Sequence, residues 1–300
     1  MVGGINLDTL ARVNDPVVAA TSNPGRTLTA PGGVGRNVAE NLARLGSPVR
    51  LVGAVGCDHA GDLLLAGLAD LGVDASGVRR RADLTTGTYT AVLDHDGSLV
   101  VGIADMAATD AITPADLPAD LLDGAAWLVL DGNLPTATVQ HCLTAAATIG
   151  VPVALDPVGV AKAARLGSLR GVHTFTPNAD ELAAWSGSPE TEVAVERAQA
   201  DDVAVVWLRA GAAGSTVVRP GHDPVTVALP PAPVVDVTGA GDAMLAAYVH
   251  RMLREDDAVA AAWFGAAAAW LTVGSASAVH PDLTEALVAA TLKQQRRTAP

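Results

Sequence analysis

The stretch VVDVTGAGDA, residues 234–243, decides how this chain is read. Val234 to Thr238 is a short β-branched run and predicts a buried strand end. Gly239-Ala240-Gly241 follows with almost no side-chain bulk. Beyond it, Met244, Leu245, Tyr248, Val249, Met252 and Leu253 fall on one face of a helix expected from Ala243 to about Leu253. Strand, glycine turn and helix start together make an anion site. The first backbone N–H groups of a helix lack partners, and small residues let a phosphate approach them. Asp242 is the unusual member. A carboxylate beside an anion hole repels phosphate unless it has another task, and the evident one is to take a proton from a hydroxyl. As an N-cap it would serve only the helix. The motif alone leaves these two readings even.

Outward from this stretch, a second glycine turn opens PGGVGRNVAENLARLG, residues 31–46. Val38, Leu42 and Leu45 share one face of the helix that follows, and Gly46 closes it. The pattern lacks the Gly-Lys-Ser/Thr ending of a phosphate loop and the three spaced glycines of a dinucleotide fingerprint, which disfavours a dinucleotide-dependent dehydrogenase. From residue 49 strands and helices alternate: VRLVGAVG, then a helix over 60–71; AAWLVLDGN, ending on Asp131 and Asn133, then a helix to Ile149; VPVALDP, ending on Asp156; VHTFTPN, leading to Asn178; and DDVAVVWLRAG, leading to Gly211. This order predicts a mostly parallel, doubly wound α/β sheet flanked by helices, with ligand groups at the C-terminal strand ends.

Val2-Gly3-Gly4 has the pattern of a strand end, and Asp8 is expected where that strand gives way to a loop. Residues 84–104 alternate as a hairpin around Asp96-Gly97. Two β-rich pieces, about 9–30 and 84–105, are therefore expected to form a small sheet standing off a single α/β domain over residues 1–300.

Half of the 300 residues are apolar, enough for a sizeable core. A net charge of −13 argues against nucleic acid as a partner. Cys57 and Cys142 are far apart and the seven histidines are scattered, which fits a cytoplasmic protein without a disulfide framework or a His-built metal site. No membrane span is read. The Ala-rich run 258–273 is expected to be a core helix.

The two glycine motifs, in this order and about two hundred residues apart, resemble the signatures of the ribokinase-like (PfkB-type) carbohydrate and nucleoside kinases. In that family the same N-terminal pattern follows several apolar residues, so the true start is expected upstream and the first strand is expected to be short here. The resemblance implies a β-sheet lid, with a homodimer through it as the expected assembly. It implies Asp242 as the base and Gly239, Ala240 and Gly241 as the anion hole. It places Asn6, Asp8, Gly32, Gly33, Asn37, Asp105, Met106 and Asn133 at the small-molecule substrate. It places Asn178, Gly211, Gly214, Thr238 and Lys162 at ATP, and the 263–274 helix end along the adenine. Glu181 would meet Mg²⁺ through water, a sparse arrangement that suits this cation. A monovalent cation is a further candidate. For several of these residues the bland alternative stands alongside. Asp8 could be a turn residue, Asn178 and Glu181 an acid-rich helix start, the 211–214 glycines an ordinary loop, and Lys162 a surface side chain.

Within the family the chain is most similar to the pseudouridine kinases. GGVGRNVA carries Arg36, and DGN at 131–133 and HPDLT at 280–284 agree. ADMAATDAITP, residues 104–114, resembles their lid-to-core segment with Ala104 in place of Asn, and Ala30 stands where a serine is expected. The implied reaction is phosphorylation of the 5′-hydroxyl of pseudouridine. The rivals are a kinase for ribose, a ribonucleoside or fructose, and a non-catalytic binding protein of the same fold.

Overall fold

The alternation of strands and helices is present in the computed structural model, which describes residues 1–255 and 257–298. In chain order the elements are β1 (Asn6–Val13), β2 (Gly25–Gly32), α1 (Val34–Arg44), β3 (Arg50–Gly56), α2 (His59–Asp70), β4 (Asp74–Arg81), β5 (Gly87–Leu93) and β6 (Leu99–Asp105). They continue with α3 (Ala107–Asp110), β7 (Leu128–Asp131), α4 (Thr136–Ile149), β8 (Val153–Asp156), α5 (Val160–Ala163), β9 (Thr174–Phe175), α6 (Ala179–Ser186), α7 (Thr191–Ala200) and β10 (Val205–Arg209). The last are β11 (Ser215–Val218), β12 (Val225–Val227), α8 (Ala240–Met252), α9 (Ala258–Val273) and α10 (Glu285–Thr298).

The main sheet runs β12-β11-β10-β9-β8-β7, parallel from β7 to β10 and antiparallel at β11 and β12. Residues 1–3 thread between β7 and the parallel pair β3-β4. Val2 donates to Val129 O at 2.9 Å and Gly3 to Val52 O at 3.0 Å, and Val2 bridges both Leu130 and Val52. Neighbouring residues of one strand face opposite layers, which is how a doubly wound sheet is filled. Val129, Ala154 and Val205 pack with α1, α2, α8 and α9, while Leu130, Leu155 and Val206 pack with α4, α6 and α7. Strands buried on both faces explain the near-continuous apolar runs of β3, β7 and β8.

The second sheet, β2-β1-β5-β6, stands apart as the β-rich pieces predict, with β1 parallel to β5 and the hairpin turning at Gly97. Three expectations are corrected. Asp8 lies inside β1, paired with Ala30, because the chain enters this sheet at Asn6. Residues 234–238 form no strand; Val234, Val235 and Val237 are exposed. Their N–H groups are spent outside any ladder: Val235 and Asp236 both donate to Val273 O at the end of α9, at 2.7 and 3.2 Å, and Thr238 donates to Asp236 Oδ1 at 2.9 Å. The helix after the glycine turn begins at Ala240 rather than Ala243, which puts Asp242 within its first turn. Among the described residues no helix is long and apolar enough to cross a membrane.

Candidate active site

The site is built where α1 packs against α8, over the C-terminal ends of the parallel strands. Gly239 caps α8 with φ 76°, a left-handed backbone that suits glycine, and a Cβ there would overlap the Ala278 carbonyl. The turn is thereby pressed against the segment after α9. Ala240 N–H bonds back to Val237 O at 3.3 Å, while Gly241 and Asp242 place their amides in the first turn, where a helix supplies no partner.

Asp242 does not cap. It is 8 % exposed, and its Oδ2 accepts from Asn37 Nδ2 at 2.8 Å. Burial pushes its pKa up to about 7; the Asn37 hydrogen bond opposes the rise, and the Asp156 and Asp131 carboxylates add to it. Asn37 in turn is fixed by its neighbour, Arg36 Nη1 donating to Asn37 Oδ1 at 2.7 Å. Arg36 also pairs with Glu40, and Glu40 with Arg44 at 2.8 Å. α1 can approach this closely because Gly33, at φ 92°, sits against the Gly4 carbonyl where a Cβ would come within 2.5 Å.

On the lid side, Asn6 Nδ2 donates to Asp8 Oδ1, and Gly32 lies against the Asp8 carboxylate. Burial raises the Asp8 pKa, with the Asn6 hydrogen bond and the Arg36 charge opposing. Gly87 pairs with Asn6 and lies beside the Asp105 carbonyl, so the base of the second sheet adjoins Asn6. Asp105 itself is exposed at the end of β6, accepting from Thr85 Oγ1 at 3.3 Å, and Met106 immediately precedes α3.

At the end of β7, Asp131 is fully buried and accepts from Gly4 N–H at 2.8 Å and Asn133 N–H at 2.9 Å; burial pushes its pKa up to about 6. Lys162, on α5, donates to Asn133 Oδ1, so it stands with Asn133 and Asp131 rather than on the glycine turn.

Asn178 and Glu181 do share one place, but as a reciprocal capping box at the start of α6. Glu181 N–H donates to Asn178 Oδ1 at 2.9 Å and Asn178 N–H to Glu181 Oε2 at 2.8 Å. Glu181 is 4 % exposed and also meets Arg209 Nη2 at 3.3 Å. Arg209 grips Asp156 at the end of β8 with both terminal nitrogens, at 2.7 and 3.1 Å. Arg209 was not singled out by the sequence reading; the available signal is a basic residue at a strand end directly before a glycine turn. Gly211 and Gly214 bound that turn between β10 and β11. Thr238 is exposed and engaged locally, its N–H and Oγ1 both donating to Asp236 Oδ1. Trp270 of α9 bonds Pro230 O at 3.0 Å, fastening the loop that precedes the glycine turn.

Among the described residues no three or more His, Cys, Asp or Glu side chains gather to hold a metal ion directly; the acidic pair beside the glycine turn is Asp156 and Glu181, joined through Arg209. Two such carboxylates fit Mg²⁺ only as partners of its waters, the remaining ligands coming from phosphates, since this cation keeps most of its hydration shell. The open helix start fits a phosphate.

Comparison with known proteins agrees. The model of the pfkB family of carbohydrate kinases matches residues 2–285. The chain is 33% identical over 261 residues to the pseudouridine kinase of Escherichia coli K12, covering 82% of this chain and 80% of that protein. Among solved structures, Arabidopsis thaliana ribokinase complexed with ribose and ATP superposes with TM-score 0.88 at 29% identity, covering 97% of each chain. A carbohydrate kinase from Agrobacterium tumefaciens superposes with TM-score 0.85 at 30% identity, covering 97% of this chain and 95% of that one.

Proposed function

The chain belongs to the pfkB family of carbohydrate kinases, and within that family we propose that it transfers the γ-phosphoryl group of ATP to the 5′-hydroxyl of pseudouridine. The observation that supports phosphoryl transfer best is the pairing of Asn37 with a buried Asp242 at the glycine turn. A carboxylate with a pKa near 7 is about half ionised at neutral pH and still basic enough to take a hydroxyl proton as the O–P bond forms. Pseudouridine as the acceptor is supported by the 33% identity to a pseudouridine kinase and by Arg36 in the N-terminal signature.

In this reading Asn6, Asp8, Gly33, Asn37 and Asn133 hold the ribose, and the first-turn amides of α8 receive the developing phosphoryl charge. Bound Mg²⁺ would neutralise the phosphates, with Glu181 and Asp156 facing its waters. Gly211, Gly214 and the 230–238 loop frame the nucleotide. The β2-β1-β5-β6 sheet acts as the lid of a single cytoplasmic domain, closing to keep water from the phosphoryl group. Its strands leave Leu10, Leu28, Val101 and Ile103 exposed, and a second copy of the chain covers them.

One panel tests the reading: ATP with pseudouridine, uridine, adenosine, ribose and fructose, each scored by ADP release and product mass. Pseudouridine should give the highest kcat/KM. Faster turnover of ribose would replace the substrate assignment, and no turnover of any acceptor would mark a non-catalytic binding protein.

A further inference from the structure

Arg209 is the cation that three buried acids share. It ends β10, next to the 211–214 turn, and its side chain is 18% exposed. Nη1 donates to Asp156 Oδ2, Nη2 to Asp156 Oδ1 and to Glu181 Oε2. Its charge also acts on Asp242, where it opposes the rise in pKa. Nη1 lies 2.8 Å from the point a Cβ on Gly241 would occupy, so the guanidinium abuts the anion hole itself.

Stability alone is a weak reason for this cluster. A buried ion pair roughly returns its desolvation cost, and an apolar replacement of similar volume often does as well. The location supplies a better one. A nucleoside triphosphate entering this site meets buried carboxylates, and Arg209 covers two of them, Asp156 and Glu181, with Nη1 beside Gly241 of the glycine turn. Its fork matches phosphate oxygens as well as it matches carboxylates, and Nη1 carries a second hydrogen beyond the one given to Asp156.

We propose that Arg209 is a further catalytic residue that exchanges partners. In the free protein it neutralises Asp156 and Glu181. When ATP arrives with its divalent cation, those carboxylates turn to the cation's waters and Arg209 turns to the γ-phosphoryl oxygens beside Gly241. The acceptor O–P bond then forms as the bond to the β,γ-bridging oxygen breaks; the hydroxyl proton goes to Asp242 and ADP leaves. Arg209 takes no proton and stabilises charge only. The proposal rests on the kinase reading but not on which acceptor is used.

The test uses Arg209→Lys and Arg209→Gln in the full chain, assayed with whichever acceptor the wild type phosphorylates best. An arginine acting on the transferring group can contribute up to about 10³-fold or more to kcat. The expected result is a kcat at least ~10²-fold lower in Arg209→Gln, with the acceptor KM within ~3-fold of wild type. Arg209→Lys, which keeps the charge and holds the fold if the glutamine variant does not, should lose at least ~10-fold in kcat because it lacks the fork. A second readout needs neither nucleotide nor acceptor: Mn²⁺ titrated into the free protein, followed by electron paramagnetic resonance. Freeing two carboxylates should tighten Mn²⁺ binding at least ~10-fold in Arg209→Gln, or measurably in Arg209→Lys. A folded variant with kcat within ~3-fold of wild type overturns the catalytic role, and unchanged Mn²⁺ binding overturns the exchange. Failure of pseudouridine in the acceptor panel leaves both readouts intact.

Discussion

Asn37 Nδ2 donates to Asp242 Oδ2 at 2.8 Å, joining two side chains 205 residues apart in the sequence. The bond ties the helix after the first glycine turn to the helix after the second. It also selects one orientation of the Asn37 amide, because Arg36 Nη1 holds the Asn37 carbonyl oxygen from the other side at 2.7 Å. Asp242, the proposed base, is therefore positioned by the helix that carries Asn37.

Asp242→Asn should lower kcat by roughly 10²- to 10⁴-fold, the usual worth of a general base. Its effect on stability has the opposite sign. A carboxylate whose folded pKa, about 7, exceeds its ordinary value of 3.8 costs stability as pH rises through that window. At pH 8 the asparagine variant should therefore melt at the wild-type temperature or above it. A turnover within a few-fold of wild type would return Asp242 to a structural role.

The pH dependence of kcat/KM should rise about tenfold per pH unit below a midpoint near 7 and flatten above it, as Asp242 ionises in the free enzyme. Asn37→Ala removes the hydrogen bond that opposes the shift, so its midpoint should move upward. A wild-type midpoint below pH 5, or a downward move in Asn37→Ala, contradicts this assignment.

Gly239→Ala places a methyl group on the Ala278 carbonyl and a side chain in left-handed backbone. The turn must move, so kcat/KM should fall at least ~10²-fold, since an oxyanion-type donor out of place costs that much. Steady-state kinetics alongside a melting curve separates this from simple unfolding, whose cost at such a site is about 1–3 kcal/mol.

Pseudouridine differs from uridine by an extra ring N–H, and a buried acceptor left unpaired by uridine costs about 1–3 kcal/mol. The preference in kcat/KM should thus be at least ~10-fold. Asp105, whose carbonyl adjoins Gly87 at the end of β6, is the expected acceptor; it is exposed in the free protein and is expected to be buried once the bound base covers it. Asp105→Ala should erode that ratio more than it raises the KM for ATP; equal rates on both nucleosides in the wild type would remove the assignment.

Ile103→Glu puts a charge on an exposed apolar position of the lid. If two copies meet there, the variant should sediment as a monomer at concentrations where the wild type is a dimer. A monomeric wild type rejects the lid interface.

What the sequence determined by itself is what depends on near neighbours. The helix of residues 34–44 and its closing Gly46, the hairpin at Gly97 and the α6 start all follow from periodicity, turn chemistry and an N-x-x-E spacing. The glycines of both motifs were legible for the same reason: backbone approach and positive φ restrict the residue type locally. The strand alternation also carried the doubly wound sheet, because two buried faces demand apolar runs. Tertiary structure decided the rest. Local pattern made residues 234–238 a strand, yet no neighbouring edge takes them, and their N–H groups go to the end of α9 and to Asp236 instead. Whether Asp242 caps its helix or faces a partner depended on where α1 packs. Lys162 found Asn133, and Arg209 found Asp156 and Glu181, because sheet order puts the ends of β7 to β10 side by side. The charge state of Asp242 belongs to this last class, since burial and the acids from other strands set it together.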